Sequence, residues 1–139
     1  MVHVDCAAWH LCSVWAKPIR KAVFVQEQGI DESEEWDEAD ATAVHAIAWL
    51  NDQAVGTGRL LVDGKIGRMA VHKNYRGKGV GAAILNTLIE LARQQGHDKV
   101  TLSAQAAAIG FYEHWGFVPV GPAHEEVGIA HQWMCLELN

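Results

Sequence analysis

The stretch Arg76-Gly77-Lys78-Gly79-Val80-Gly81 separates a predicted strand, residues 66–71, from a predicted helix, residues 80–95. Its three glycines leave the backbone bare at the point where the helix begins. A helix N-terminus carries unpaired N–H groups at the positive end of the helix dipole, where anions bind. The side chains of Arg76 and Lys78 add positive charge beside it. The stretch therefore predicts a site for a phosphate or pyrophosphate group.

Other phosphate motifs fit this stretch less well. Gly77, Gly79 and Ala82 satisfy the loose G-x-G-x-x-G/A pattern of a dinucleotide site. However, residues 72–76 separate the strand from the first glycine, whereas a dinucleotide loop follows its strand directly. No acidic residue ends the next predicted strand, residues 100–103, and no Walker G-x-x-x-x-G-K-[ST] motif occurs. A glycine-rich helix cap that binds no ligand is the structural alternative.

A second motif runs from Ala108 to Phe117 and reads A-I-G-F-Y-E-H-W-G-F. It predicts a helix over residues 106–115, a left-handed C′ position at Gly116 and a strand that starts at Phe117. A core aromatic with its hydroxyl at the surface is the structural alternative for Tyr112.

Together the two motifs resemble the pyrophosphate loop R-x-x-G-x-G and the segment A-x-x-F-Y-x-x-x-G-F of the GNAT acetyltransferases, which bind acetyl-CoA. Many GNAT proteins have an asparagine in the place of Gln105. The resemblance extends over residues 20–138. Further stretches resemble the ElaA-like or YjcF-like branch of this family: residues 20–30 with Asp37, Asp40 and His45, the pair Ala104-Gln105, and residues 128–134.

This resemblance implies an α/β fold of GNAT type, with a mixed, partly antiparallel sheet flanked by helices and a splayed central strand. It implies a single acetyltransferase domain over residues 1–139. The splayed strand would leave backbone N–H groups free for the pantetheine arm of acetyl-CoA, and Tyr112 would stand near the sulfur as general acid. The residues implied in cofactor binding are Met69, Ala70, Val71, Arg76, Gly77, Lys78, Gly79, Val80, Gly81, Ala82, Gln105, Phe111 and Tyr112.

The base that would deprotonate an amine acceptor is less well defined than the acid. Glu27 and His131 join Tyr112 in the predicted catalytic set. Glu27 needs a pKa raised by burial or by a neighbouring acid to take a proton through a water. His131 lies on the last predicted strand, which the GNAT architecture brings near the acceptor. Two more histidines remain open, since His45 suits the core equally well and His72 suits the cofactor groove.

Composition restricts the class of protein. The chain has 139 residues, half of them hydrophobic, which suits one globular domain. Its net charge of −6 argues against a general nucleic-acid binder. No run approaches the ~20 apolar residues of a membrane span, and no signal pattern opens the chain, so a cytoplasmic location is expected. We expect no metal, because three cysteines match no zinc spacing and five histidines are predicted at the surface: Cys6, Cys12 and Cys135, and His3, His10, His97, His114 and His124.

Charge is distributed unevenly along the chain. Acidic residues cluster within residues 31–40, whereas five basic residues occur within residues 65–78, around the glycine stretch. An anionic cofactor on the basic side and a cationic amine on the acidic side would suit this polarity. An ordinary solvated acidic loop is the alternative. Trp36, inside the acidic segment, is predicted to cover the acceptor site, to lie at a dimer contact, or to pack the loop onto the domain.

The remaining pattern supplies the rest of the fold. Asp63-Gly64 is a strong hairpin signal between two predicted strands, residues 54–62 and 65–71. Pro18 is expected to start or break a turn within a partly helical segment, residues 8–28. The other segments are predicted as strands over residues 2–5, 43–50 and 130–138, an acidic loop or short helix over residues 29–41, and a loop or hairpin over residues 119–128.

The sequence thus predicts an N-acetyltransferase that moves the acetyl group of acetyl-CoA to a primary amine by direct attack. The acceptor class stays open between a small amine, an amino sugar, a polyamine and a protein lysine. A non-catalytic module that senses acyl-CoA is one alternative, and a domain that binds NAD or ATP is another. The family resemblance also makes a homodimer plausible. Neither a nucleic acid nor a membrane is expected as a partner.

Overall fold

A computed structural model describes residues 1–138 of the chain. The strands are β1 (His3–Ala8), β2 (Val44–Leu50), β3 (Gln53–Leu60), β4 (Ile66–Val71), β5 (Lys99–Gln105), β6 (Val118–Pro119), β7 (His124–Glu126) and β8 (Ile129–Glu137). The α-helices are α1 (Trp9–Arg20), α2 (Glu32–Glu35), α3 (Val80–Gln94) and α4 (Ile109–His114). Strands β1 to β4 form one antiparallel sheet in that order, while in the second sheet β8 lies between β5 and β6 and also pairs with β7. No helix within residues 1–138 is long and apolar enough to cross a membrane.

Helix α3 packs on the first sheet because its apolar residues recur at helical spacing and because β3 offers glycines beneath it. A Cβ atom on Gly56 would lie 2.8 Å from both Ile84 Cδ1 and Val80 Cγ1. A Cβ atom on Gly58 would lie 2.9 Å from Ile84 Cγ2. The close approach fixes the N-terminus of α3, and the glycine stretch before it, relative to the sheet. The helix predicted over residues 80–95 is confirmed.

The expected break at Pro18 is wrong, because α1 passes through this residue and continues as a π-helical segment, Lys21–Glu27. Pro18 is exposed, so its ring meets solvent, and it removes only one backbone donor from the helix. Further along, the backbone widens: the Gln28 N–H donates to the Val23 carbonyl, five residues earlier, over 3.0 Å. Burial of Ile19 and Phe24 holds the segment against the sheet.

Strand β4 is bulged, and it separates from β5. Thr57 on β3 pairs with Ala70, whereas Arg59 pairs with Gly67, so Arg68 and Met69 oppose a single residue of β3. Arg68 in this bulge takes a φ of 48°, a left-handed value that is uncommon for a residue with a side chain. A bulge bends the strand that contains it.

Contact between β4 and β5 is limited to one end. One parallel bridge, between Lys65 and Thr101, joins the two sheets there. Beyond that bridge the two sheets diverge and leave an open cleft. The predicted splayed central strand is confirmed.

A buried ion network fastens the acidic segment to the first sheet. Arg20 donates from Nε to Glu35 and from Nη1 to Asp40, both over 2.7 Å. Arg59 donates from Nη1 to Asp37 over 2.7 Å and to Asp40 over 2.8 Å. The acids of residues 35–40 are therefore largely neutralised by arginines from α1 and the sheet. Three acids of the segment, Glu35, Asp37 and Asp40, are thus committed to arginines, whereas Glu34 lines the cleft and has no ion-pair partner within residues 1–138.

Trp36 packs the acidic segment onto the domain. The guanidinium carbon of Arg20 lies 5.1 Å from the Trp36 ring centroid and 5.3 Å from that of Trp9, so the cation is enclosed between two aromatic faces. Trp36 does not line the cleft. Among the three roles considered for it, the packing role is the one that the structure supports.

Of two predicted segments around the second sheet, the helix differs from its predicted form, whereas the hairpin alternative over residues 119–128 is confirmed. The helix predicted over residues 106–115 divides into a 3₁₀ turn, Ala106–Ala108, and α4. The segment of residues 119–128 contains strand β7, which forms a tight hairpin with β8 through Val127 and Gly128. Both turn residues have positive φ values, 46° and 78°, as a two-residue hairpin of this type requires. This hairpin forms one wall of the cleft.

Candidate active site

The glycine stretch forms an open N-terminus for α3. Gly77 and Gly79 have φ values of 76° and 82°, which favour glycine, and a Cβ atom at either position would meet nothing within 4 Å. Gly79 is the N-cap and offers no side chain to cap the helix. The first backbone N–H groups of α3 therefore have no capping partner within the helix and face open space. This geometry fits a phosphate or pyrophosphate group.

Arg76 is engaged by Glu27 beside this loop. Its two terminal nitrogens donate to the Glu27 carboxylate over 2.6 and 2.7 Å, and its Nε donates to the Val71 carbonyl over 3.0 Å. The Arg76 hydrogen bonds lower the pKa of Glu27, whereas the prediction of Glu27 as base needed a raised pKa. That premise is corrected: Glu27 is a partly exposed, ionised carboxylate committed to an arginine.

Strand β4 presents a free backbone donor to the opening. The His72 N–H donates to the Val55 carbonyl on β3 over 2.9 Å. Because amides alternate in direction along a strand, the Val71 N–H points away from β3, toward the side that β5 leaves open. Such a donor suits an amide or carbonyl group of a ligand that enters between the sheets.

The cleft between β4 and β5 has a volume of about 350 Å³ and brings together four of the predicted site residues, Met69, Gln105, Tyr112 and His131. The Tyr112 hydroxyl donates to Met69 Sδ over 3.7 Å. Sequence reasoning missed other residues that line the same cleft. Among these are Phe24, Gln28, Ile30, Glu34, Lys65, Arg68, Ser103 and Glu126.

Two aromatic neighbours hold Tyr112, one on α4 and one that follows this helix in the sequence. Its ring lies 5.2 Å from that of Phe111 and 5.8 Å from that of Phe117, both in edge-to-face arrangements. Burial raises the pKa of Tyr112 to about 12, because the phenolate would lose its hydration. The hydroxyl therefore keeps its proton at neutral pH and can act as a hydrogen-bond donor.

Gln105 forms a reciprocal amide pair across the cleft. Its Nε2 donates to Gln28 Oε1 over 2.9 Å, and Gln28 Nε2 donates back to Gln105 Oε1 over 3.3 Å. Gln28 follows the π-helical segment directly, so the pair links that segment to the end of β5. The pairing joins residues 77 positions apart, which no local pattern in the sequence indicates.

His131 stands at the floor of the cleft, on β8, and only 8% of its surface is exposed. Its Nδ1 lies 2.7 Å from the Ile129 carbonyl oxygen. A carbonyl only accepts, so Nδ1 carries the hydrogen and, in the neutral ring, Nε2 keeps a free lone pair. This tautomer is the one that a proton acceptor needs.

A polar group on the β7 wall lies beside His131. His124 stacks near it, with ring centroids 6.0 Å apart, although we predicted His124 at the surface. His124 Nε2 lies 2.6 Å from the Glu126 carboxylate, which also accepts a hydrogen bond from the Ser103 hydroxyl. The Ser103 hydroxyl and the Glu126 carboxylate both contact Nε2 of His124. The histidine therefore cannot relay a proton from Ser103 to Glu126, which would need both ring nitrogens. The group is a polar wall of the cleft.

The other histidine candidates lie outside the cleft. His45 is buried in the first sheet, and its Nε2 lies 2.9 Å from the Asp40 carbonyl oxygen. Burial lowers the pKa of His45, which makes it a neutral core residue, as the alternative interpretation had it. His72 follows β4 and lines a separate shallow depression together with Tyr75.

Comparison with known proteins decides the family. The profile of the acetyltransferase (GNAT) domain matches residues 17–138. The chain belongs to the GNAT family of acetyltransferases. It is an acyl-CoA-dependent acetyltransferase, and the predicted likeness to the ElaA-like and YjcF-like branch is confirmed. This assignment favours the pyrophosphate-loop interpretation of the glycine stretch over the dinucleotide one.

Individual relatives support the branch. ElaA of Escherichia coli strain K12 is 34% identical over 128 residues, which are 86% of this chain and 84% of that protein. YjcF of Bacillus subtilis strain 168, an uncharacterized N-acetyltransferase, is 34% identical over 102 residues, 71% of this chain and 73% of its own. The crystal structure of ElaA superposes with a TM-score of 0.86 at 31% identity, over 99% of this chain and all of that one.

A crystal structure of an acyl-CoA N-acyltransferase from Pseudomonas aeruginosa has the same architecture. It superposes with a TM-score of 0.84 at 29% identity, over 97% of this chain and 99% of that one. The GNAT fold binds acetyl-CoA, and its members act on amine acceptors. The open helix N-terminus and the splayed β4 of this chain are the features that fit such a cofactor.

Proposed function

We propose that this chain acetylates a primary amine by direct attack on acetyl-CoA, with Tyr112 as acid and His131 as base. One observation carries the proposal. Tyr112 and His131 line the same cleft, where β4 opens beside the glycine stretch. The Tyr112 hydroxyl holds a proton, and Nε2 of His131 has a free lone pair. These are the two opposite proton roles that transfer from a thioester to an amine requires.

Binding of acetyl-CoA would use three parts of this chain, and the bound cofactor supplies an activated acetyl thioester. The N–H groups at the start of α3, with Lys78 beside them, would hold the pyrophosphate. The free Val71 N–H would donate a hydrogen bond to the pantetheine arm along the β4 edge. Residues Met69, Ala70, Gln105 and Phe111 would enclose the arm and the reacting end. In this assignment residues 77–82 bind the phosphates. Arg76 supports the loop through its ion pair with Glu27.

His131 would take the proton from the incoming ammonium through its Nε2 lone pair. Glu27 is a weaker candidate, since its low pKa makes it a poor proton acceptor and Arg76 occupies both of its oxygens. Tyr112 would donate a hydrogen bond to the departing sulfur. A thiol has an ordinary pKa of about 8.5. A hydroxyl with a pKa of about 12 therefore stabilises the thiolate through a bond that strengthens as charge develops, rather than by complete transfer at equilibrium.

The test has two stages. Calorimetric titration with acetyl-CoA, CoA, NAD and ATP at moderate salt should show binding of acetyl-CoA and CoA alone. Release of free CoA thiol from acetyl-CoA is then followed with a broad panel of primary amines. Amine-dependent thiol release supports the proposal. Selective binding with no turnover on any amine would favour the acyl-CoA-sensing module instead.

A further inference from the structure

Lys65 places an uncompensated positive charge in the cleft. Its side chain is half-buried, and no carboxylate among residues 1–138 lies within 4.0 Å of its amino group. The amino nitrogen lies 4.8 Å from the ring centroid of Trp133, which fixes its direction by a cation–π contact. Two acids of the cleft have partners, since Glu35 pairs with Arg20 and Glu126 with His124, whereas Glu34 has no ion-pair partner within residues 1–138.

Arg68 offers a second free donor in the same cleft. The bulge in β4 gives Arg68 a φ of 48°, a strained value for a residue with a side chain. Its Nε and Nη2 donate to the Glu35 carbonyl, and Nη2 also meets Asp37, all over 3.3 Å. Its Nη1 donates to no group within residues 1–138, although 29% of the side chain is exposed. Arg68, whose Nε also lies 3.2 Å from the Glu35 carboxylate, thus keeps one nitrogen unused in the cleft that Lys65 also lines.

We propose that the acceptor is an aminocarboxylate, with its carboxylate held by Lys65 and by Nη1 of Arg68 and its amine at His131. The inference rests on the proposed acetyl transfer and names the substrate class for it. Charged donors that face an open cleft recognise a carboxylate better than a neutral group, because each hydrogen bond is charge-assisted. The carboxylates of Glu34 and Glu126 also line the cleft, and Glu126 is held by contacts with Ser103 and His124.

The positions of the donors set the spacing of the two ligand groups. Lys65 lies over Trp133, and Trp133 follows His131 by two residues on the same face of β8. Two residues of a strand span about 7 Å. An acceptor whose amine and carboxylate stand on the order of 7 Å apart, as in an ω-amino acid of medium length, matches this spacing.

The experiment compares kcat/KM for 6-aminohexanoate, 6-aminohexanamide and hexylamine, with glycine as a short aminocarboxylate. We expect the wild-type chain to prefer 6-aminohexanoate over the amide and hexylamine by about tenfold or more, the usual effect of a charged hydrogen bond. Glycine should react more slowly than 6-aminohexanoate. Lys65→Met keeps the apolar stem over Trp133. It should bring the ratio of kcat/KM for 6-aminohexanoate to kcat/KM for 6-aminohexanamide close to one.

Two further variants keep the test decisive. Lys99→Met removes an exposed lysine at the start of β5 and should leave both the rates and the preference unchanged. Lys65→Glu should turn the preference toward 1,6-diaminohexane. Thermal unfolding of each variant checks that it is folded.

Equal rates with the acid, the amide and hexylamine, or an unchanged preference in folded Lys65→Met, would overturn the aminocarboxylate inference and leave amine acetylation standing. Thiol release with none of the amines would overturn both proposals.

Discussion

Neighbouring groups decide which side chain of this site holds a proton at neutral pH. Burial among aromatic rings raises the pKa of Tyr112, so the hydroxyl stays protonated. A paired guanidinium lowers the pKa of Glu27, so the carboxylate stays ionised. A single hydrogen bond to a carbonyl sets the tautomer of His131. The proposed acid and base follow from these local environments.

Tyr112→Phe should lower kcat by about 100-fold or more, within the usual range for loss of an acid catalyst. The phenyl ring keeps the contacts with Phe111 and Phe117, so the affinity for acetyl-CoA should stay within about twofold. Single-turnover kinetics and calorimetry measure the two quantities separately. Equal losses in both quantities, or no loss in either, would contradict the acid role.

His131→Gln should lower kcat/KM for an amine acceptor by about 100-fold at neutral pH, because no group then removes the ammonium proton. A lysine-like amine loses its proton without help near pH 10.4, its ordinary pKa. The deficit of the variant should therefore shrink as the pH approaches 10. A matched His45→Gln variant disturbs only the core, and any loss that it causes should not shrink with pH.

At the scale of elements, the start of α3 is the part that the phosphate prediction depends on. Gly79→Ala forces a side chain into a left-handed conformation, at a cost of about 1–2 kcal/mol, and disturbs the first N–H groups of the helix. We expect the affinity for acetyl-CoA to fall at least tenfold. A larger side chain at Gly79 should abolish binding, which calorimetry measures.

Gly96, just beyond the other end of α3, supplies a matched control. It has a φ of 85° and, like Gly79, open space where a Cβ atom would lie. Gly96→Ala should cost similar stability and leave the affinity for acetyl-CoA unchanged. Equal affinity in the two variants would show that the loop at Gly79 does not bind the phosphates.

At the scale of the whole molecule, the ion network joins α1, the acidic segment and strands β3 and β4 of the first sheet. Arg20→Met should lower the free energy of unfolding by about 3–5 kcal/mol, because Glu35 and Asp40 keep buried charges that have lost this partner. Arg93→Met is the control, since its pair with Glu90 is exposed and is worth less than about 1 kcal/mol. Denaturant unfolding measures the free energy of unfolding of both variants. Similar losses in the two variants would show that the network does not stabilise the fold.

The same network predicts a loss of stability in acid. Hydrogen bonds from Arg59 lower the pKa of Asp37 from 3.8 to about 2 in the folded chain. The stabilisation from Asp37 is therefore complete above pH 4 and is lost as the pH falls toward 2. Asp37→Asn should be less stable than the wild type at pH 7, and the difference should shrink between pH 4 and pH 2. A difference that stays constant with pH would assign the effect of Asp37 to packing.

The sequence by itself determined the features that depend on residues close to one another along the chain. Glycines at fixed positions indicated the open start of α3, apolar spacing indicated the helix itself, and Asp63-Gly64 indicated the hairpin before β4. These features follow from backbone conformation and periodicity, which a local stretch of sequence contains. The motif around Tyr112 likewise indicated a helix, because most of its residues lie in α4.

The tertiary structure alone decided which distant residues meet. Glu27 was a candidate base until the fold placed Arg76 against it. Within the acidic segment, only the fold shows that Glu35, Asp37 and Asp40 pair with Arg20 and Arg59. Gln28 lines the cleft through its pair with Gln105, and His124 meets Ser103 and Glu126 at the cleft wall. A pKa and a charge depend on what surrounds a group in space. Pairings between distant parts of the chain are set by how the sheets and helices pack together.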